Sequence, residues 1–482
     1  MKLTAATLLL SLALPLTASA ADTPNIVLLL ADDMGWTGSS VQMDDRVAGS
    51  KSDLYRTPSL ERMASQGMRF SNAYSPAPNC SPTRMAIQTG KTAARLGATD
   101  IIDVVPDENG KALIQPFHDL MYFNKPLLVP FPIDDLPEAE LTIAEYLKRH
   151  EPKTVTGHFG KWHMGVTAPE RHGYDEHNGS TTNTPGGKGV PDPKRTAEIT
   201  KDSIAFLDKH GPSGRPFYLQ VSYYAVHIPV RAFPENVERY KTYPAGTNHP
   251  NEAYAAMTEE MDESVGQILA KLDELGLSDN TYVIFTSDNG GESDTPLTSN
   301  VPLSMGKTHV WEGGIRVPMI VRGPGIAAGS QTHVPAIGYD FLPTIAEWIG
   351  EGDDLPSDID GGSLAGVLAG RSSTVVRGTE ELIWYYGAYR NMKHVAPQTA
   401  IRSGQHKLIR ELDSGREYLY DLDLDLRETT DLSSWRPEIA KKLSQRLDAY
   451  FEEVDLELPT RNPDYDPAKD PGLPMVNLFG PR

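Results

Sequence analysis

The chain has 482 residues and a formal net charge of −20, with 45 Lys and Arg against 65 Asp and Glu. That acidic balance excludes nonspecific attraction to nucleic acid or to an anionic membrane, so any anionic ligand must be captured by a local basic pocket. A single cysteine excludes an intramolecular disulfide, and the fold must rest on its hydrophobic core.

The first 20 residues read as a signal peptide: Lys2, an apolar run over 8–16, then the small-x-small signal Ala18-Ser19-Ala20. No other run approaches the roughly 18 apolar residues that a spanning helix requires. The expected product is exported, periplasmic or secreted, without stable membrane insertion. No cysteine follows the cleavage signal, so no lipid anchor is expected at that end. A mature chain of about 460 residues exceeds one typical domain and predicts a large domain with a smaller companion.

Short β-branched and aliphatic runs at 25–30, 153–156, 217–222, 282–286 and 317–321 alternate with helical patterns at 141–149, 196–209 and 254–275. Such alternation predicts an α/β domain, residues 21–375, with a mostly parallel central sheet flanked by helices and ligands bound outside the carboxyl ends of the strands. Residues 102–137 carry many prolines without periodicity and read as an insertion near a site. Past about residue 372 the texture changes. Strand-like runs at 382–386, 400–402, 406–410 and 418–421 precede a helical pattern at 437–453. They predict a smaller α+β domain over 376–457 with an antiparallel sheet, followed by an extended tail, 458–482.

Two strand exits deliver paired oxygen ligands: "NIVLLLADDMG" ends in Asp32 and Asp33, and "TYVIFTSDNGG" in Asp288 and Asn289. Turn chemistry explains either pair alone, because Asp and Asn stabilise loops after strands. Two pairs at equivalent exits of one sheet favour a hard cation, Ca²⁺ before Mg²⁺, over zinc. In "APNCSPTRMAIQTG", Ser81 is the expected helix cap with Pro82 at the first helical position, which puts Cys80 at a helix N-terminus with Arg84 one turn in. Free backbone N–H groups and the helix dipole favour an anion there and should lower a thiol pKa, so an ordinary cysteine nucleophile is the first functional reading; a buried small hydrophobe is the bland one. Other loops add Lys161 and His163, His227, and Lys307 and His309. Each alone is more often solvated than catalytic. Together, facing an oxygen-ligated cation and a helix N-terminus, they describe a pocket for a tetrahedral oxyanion. The Glu312-Gly313-Gly314 turn reads as scaffold, with glycines that allow close backbone approach.

Cys80-Ser81-Pro82-Thr83-Arg84 resembles the C-x-P-x-R signature of the type I, formylglycine-dependent sulfatases of the alkaline phosphatase superfamily. "GKWHMG", "FTSDNGG", "KTHVWEGGIRVP" and the C-terminal "AIRSGQHKLIRELDSGREYLYDLDLDLRETTDL" resemble the family's further blocks in the family's order, over nearly the whole mature chain. The resemblance implies an alkaline-phosphatase-like large domain with a smaller C-terminal one. It implies a calcium ion held by Asp32, Asp33, Asp288, Asn289 and residue 80, and a maturation enzyme that oxidises Cys80 to formylglycine. The aldehyde hydrate would attack sulfur, displace a sugar alcohol and later expel sulfate by breaking a C–O bond, which a serine or thiol could not do. Arg84, Lys161 and Lys307 would stabilise charge on the sulfuryl oxygens and nucleophile, His163 would act as the base and His227 as the leaving-group acid; His309 is a substrate contact or a packing residue. The implied activity is removal of sulfate from a sulfated polysaccharide or its oligosaccharides. A phosphatase, phosphodiesterase or phosphonate hydrolase of the same superfamily is the enzymatic alternative, and an inactive binder of sulfated glycans the non-enzymatic one.

Overall fold

The computed structural model describes residues 23–102, 105–106, 112–113, 124–183, 191–292, 297–390 and 395–469. The expected leader, residues 103–104, 107–111 and 114–123 of the 102–137 insertion and the end of the tail lie outside the described residues. Among those described, no helix is long and apolar enough to cross a membrane.

The strand Asn25–Ala31 explains the architecture around it. Its side chains alternate between two faces, and both sets are apolar. Val27, Leu29 and Ala31 enter one core cluster; Ile26, Leu28 and Leu30 enter another on the opposite side. A strand buried on both faces needs helices on both, the arrangement of a parallel α/β sheet. Thr196–His210 and Glu252–Glu274 supply Phe206, Met261 and Val265 to the first cluster, while Ile143–His150 and Phe341–Trp348 supply Tyr146 and Ile345 to the second.

The sheet has eight strands in the spatial order Ser330–Thr332, Met68–Phe70, Met319–Arg322, Thr281–Ser287, Asn25–Ala31, Phe217–Ser222, Val155–Gly160 and Glu176–His177. Asn25–Ala31 pairs parallel with both Thr281–Ser287 and Phe217–Ser222, and the latter pairs parallel with Val155–Gly160. Their carboxyl ends therefore share one edge. The strand expected at 317–321 forms as Met319–Arg322 and runs antiparallel to Thr281–Ser287, so its beginning lies at that same edge. The strand expected at 153–156 forms later, over Val155–Gly160.

A second, four-stranded antiparallel sheet comprises Leu382–Tyr386, Gln398–Ser403, His406–Glu411 and Glu417–Asp421. Alternation again sets its faces. Ile383, Tyr385, Ile401 and Leu408 pack with Leu443, Leu447 and Phe451 of the helix Pro437–Glu453. Leu382, Trp384 and Tyr386 pack with Tyr74, Val310 and Ile315. The second sheet thus leans on the segment that follows Lys307. Further on, Thr460–Arg461 pairs antiparallel with Leu127–Leu128, and Asn462 Nδ2 donates to the Lys125 carbonyl at 2.9 Å. The described part of the tail is anchored to the end of the insertion.

Candidate active site

Four strand exits and one helix start converge at the carboxyl edge. Asp32 and Asp33 follow Asn25–Ala31, Asp288 and Asn289 follow Thr281–Ser287, and Lys161 and His163 follow Val155–Gly160. His227 lies on the turn after Phe217–Ser222, which is tied to the first exit by Asp32 N–H donating to the Ala225 carbonyl at 2.9 Å and Val226 N–H donating to the Asp32 carbonyl at 2.7 Å. Asp33 and His163 adopt left-handed backbone, at φ 62° and 54°. Such conformations in non-glycine residues cluster where side-chain direction matters. Glycines permit the close packing behind them: a Cβ on Gly314 would stand 2.0 Å from the His309 carbonyl oxygen, and one on Gly313 2.4 Å from that of Met305.

The cysteine helix spans Cys80–Thr89 and is capped by Asn79 in extended conformation, with no side-chain cap bond. It begins earlier than the Ser81 cap predicts. Ser81 Oγ accepts the Ile102 N–H at 3.0 Å, so that hydroxyl fixes the loop beyond the helix and leaves Cys80 as the first helical residue.

Asp32, Asp33, Cys80, Asp288 and Asn289 are all buried. Single ligand atoms of Asp32, Asp33, Cys80 and His227 lie within 4.8 Å of one another. Cys80 Sγ stands 3.6 Å from Asp32 Oδ1 and 4.0 Å from Asp33 Oδ1. Asn289 Nδ2 donates to Asp33 Oδ1 at 2.7 Å, and its buried Oδ1 has no hydrogen-bond partner. A buried acceptor without a donor is costly unless something electropositive meets it. Asp288 sits one contact away: its Oδ1 accepts the Asp33 N–H at 3.1 Å and its Oδ2 takes Arg84 Nε at 3.0 Å and Nη2 at 2.7 Å. The oxygen-rich donor set fits a hard divalent cation.

Cations surround this set. Lys161 Nζ donates to both Asp32 oxygens, at 2.9 and 2.7 Å. Lys307 Nζ reaches Asp33 Oδ2 at 2.8 Å and Cys80 Sγ at 3.5 Å. Arg84 Nη1 donates to the Lys161 carbonyl at 2.6 Å, which braces one cationic loop against the cysteine helix. Burial alone would raise the Asp33 carboxyl, but Lys307, His227 and Lys161 hold it well below the ordinary carboxylate range. Asp288 moves upward, chiefly through burial and then the neighbouring Asp32.

The thiol behaves contrary to the helix-dipole expectation. Burial and the Asp288 charge push the Cys80 thiol far above its ordinary value, against the pull of Lys161 and Lys307. A neutral, enclosed thiol is a poor nucleophile, so this setting does not favour the ordinary cysteine-nucleophile reading.

His227 Nδ1 donates to the Ile228 carbonyl, which turns Nε2 toward Asp33 Oδ2 at 3.7 Å. Burial and Lys307 hold this imidazole well below its ordinary pKa, with Asp33 opposing. His163 is buried in the Lys161 loop, its N–H on the Thr181 carbonyl at 2.7 Å. His309 is half-buried beside Trp311, ring centroids 6.2 Å apart. Sequence reasoning missed Lys194, which is buried here and donates from Nζ to the His227 carbonyl. Burial lowers its pKa to about 8. It lies in "PDPKRT", where no motif marks it.

Comparison with known proteins agrees with this geometry. The family model "Sulfatase" matches residues 24–351, and "N-sulphoglucosamine sulphohydrolase, C-terminal" matches 305–453. A sulfatase of Formosa agariphila is 28% identical over 89% of this chain and 88% of its own length. The N-acetylgalactosamine-6-sulfatase of Canis lupus familiaris is 31% identical over 77% of this chain and 69% of its own. In fold, the crystal structure of Ps i-CgsB in complex with k-i-k-neocarrahexaose superposes with a TM-score of 0.72 at 22% identity, over 93% of this chain and 96% of that one. An alkaline-phosphatase-like sheet, a matched family region covering most of the chain and this carboxylate, cysteine and lysine cluster lead to one conclusion: the chain belongs to the sulfatase family, enzymes that hydrolyse sulfuric esters.

Proposed function

We propose that this sulfatase removes sulfate from a sulfated polysaccharide or its oligosaccharides after export, using a formylglycine made from Cys80 by a maturation enzyme and a calcium ion held by Asp32, Asp33, Asp288, Asn289 and residue 80. The observation that carries the reading is the position of Cys80 Sγ, 3.6 Å from Asp32 Oδ1 and 3.5 Å from Lys307 Nζ. In the mature enzyme the hydroxyl oxygens of a hydrated aldehyde would occupy the place of this sulfur. Such a diol supplies one oxygen to attack sulfur and a second that lets sulfate leave by C–O cleavage. The cation supplies Lewis-acid stabilisation of sulfuryl oxygens. The partnerless Asn289 Oδ1 supports its ligand role.

The chain's own residues do the rest. Lys307 bridges Asp33 and residue 80, so it meets negative charge that develops on the nucleophile as its proton departs. Lys161 neutralises Asp32 and keeps two adjacent carboxylates compatible with an incoming anion. Arg84 fixes Asp288 through two bonds and contributes its charge from behind the nucleophile. His163 takes the proton of the second hydroxyl. His227, with Nδ1–H held on the Ile228 carbonyl, gives a proton from Nε2 to the leaving oxygen as an imidazolium, the form that an incoming sulfate anion favours. His309, half-buried beside Trp311, is a substrate contact or a packing residue. The carbohydrate assignment draws on the N-acetylgalactosamine-6-sulfatase relative and the carrahexaose-bound neighbour. Among the described residues a single cluster of this type is found, which favours one-metal sulfate chemistry over a two-metal phosphatase.

The test is the mass of the peptide containing residue 80, from protein made in its own host or with a maturation enzyme. Conversion lowers it by about 18 Da, a covalent change read directly. An unshifted mass under those conditions, in protein that still turns over aryl sulfates, removes the formylglycine mechanism.

A further inference from the structure

Lys194 is 1% exposed, yet no carboxylate pairs with it among the described residues; its one hydrogen bond there runs from Nζ to the His227 carbonyl. A buried ammonium without an anionic partner is expensive, and a salt bridge does not account for its place. Chain geometry shows how it gets there. Arg195 takes left-handed backbone, φ 52°, at the entry of Thr196–His210. Lys194 turns inward, while Arg195 stays over the Tyr224 ring at 5.9 Å and pairs with Glu198 at 2.6 Å. Tyr224 in turn accepts the His227 N–H on its carbonyl at 3.1 Å. Two consecutive residues thus grip the 224–227 turn from one side, and the Asp32 main chain grips it from the other.

We infer that Lys194 is a positioning residue for cleavage of the sulfate ester: by holding the His227 carbonyl it fixes the direction in which imidazole Nε2 faces the leaving oxygen. The inference rests on the proposed role of His227 as leaving-group acid. In that step an oxygen of the residue-80 diol would bond to sulfur, the S–O bond to the leaving group would break with its electron pair on the departing oxygen, and the Nε2 proton of the imidazolium would move to that oxygen. Basic alkoxides and phenolates depend on this transfer; a nitrophenolate leaves without it. A misdirected imidazole therefore penalises poor leaving groups selectively.

The experiment uses matured, metal-loaded enzyme and two probes, 4-nitrophenyl sulfate and 4-methylphenyl sulfate. The readout is the ratio of kcat/KM on the two within each preparation, which is independent of the folded fraction. His227→Ala is expected to shift this ratio against the methyl probe by about 100-fold and Lys194→Met by about 10-fold or more, within the range of general acid catalysis. Lys194→Arg, which keeps a charged donor, is expected to recover most of the ratio. Equal losses on both probes in Lys194→Met, with a shifted ratio in His227→Ala, overturn the inference alone. An unshifted ratio in His227→Ala overturns the acid assignment and the inference with it.

Discussion

Asp288 is held by three donors, the Asp33 N–H and two nitrogens of Arg84, and it bridges the two strand exits that carry the oxygen ligands. Removing its carboxylate strips the proposed cation of a ligand and leaves the Arg84 guanidinium buried without its main partner. We expect Asp288→Ala to lose calcium content and at least about 100-fold in kcat together, the scale seen when a group that stabilises transition-state charge is deleted. Metal analysis of the purified variant beside its turnover of 4-nitrophenyl sulfate checks this. Full metal content would refute the ligand role. At the same scale, the position of Cys80 shows why helix-end arguments mislead for a thiol. The dipole of one short helix is outweighed by complete burial and the charge of Asp288.

Elements here are often completed by residues far away in the chain. The helix Pro58–Gln66 has no side-chain cap of its own; instead Asp262, from the middle of Glu252–Glu274, accepts the Ser59 N–H at 2.8 Å and the Leu60 N–H at 2.9 Å. Asp262→Ala should cost about 1–3 kcal/mol, the range for losing a cap and leaving buried donors unmet. Chemical denaturation of the variant against the parent measures it, and an unchanged midpoint would show the cap to be dispensable. Such distant dependence explains what the sequence made legible. The runs at 25–30, 217–222 and 282–286 are mostly apolar, interrupted in 217–222 only by Gln220 and Ser222, so strands buried on both faces announce themselves. Val155–Gly160 includes Gly157, His158 and Gly160, which carry no strand signal, and its extent was hidden. Met68–Phe70 and Ser330–Thr332 are three residues each, too short for a period to register. Among site residues, Asp32, Asp33, Cys80, Asp288 and Asn289 stood out because strand exits and a signature marked them. Lys194 did not, because its role arises from a left-handed turn at Arg195 and a carbonyl on another loop.

Across the whole molecule, the two sheets are joined through buried charge. Lys407, on His406–Glu411, donates to Glu312 Oε1 at 2.9 Å and to Glu428 Oε1 at 2.8 Å, and Glu428 Oε2 accepts the Glu312 N–H at 2.8 Å. Glu312 also takes Arg316 Nε at 2.6 Å. Gln398 adds a neutral link, accepting the Val310 N–H at 3.0 Å and donating to the Thr308 carbonyl at 3.3 Å, on either side of His309. The C-terminal sheet therefore helps to shape the loop that carries Lys307 and His309. Lys407→Met would leave two buried carboxylates facing each other and should cost about 3–5 kcal/mol, the usual penalty for breaking a buried pair from one side. Calorimetry checks this, and we expect one cooperative transition at a lower temperature. Two separated transitions would show that the sheets unfold independently.

The enclosure of Cys80 also sets an order of events in the life of the chain. Its sulfur has no solvent-exposed surface, and it is walled by the first strand exit, the Lys307 loop and its own helix. A maturation enzyme of the proposed kind could not reach that sulfur once the wall is built, with Arg84 locked onto Asp288 beside it. On the proposed formylglycine mechanism, conversion of residue 80 would therefore belong to the interval before closure. Activity would then be decided during biogenesis: a molecule that folds first would be sealed with its thiol intact, and only unfolding would give it another opportunity.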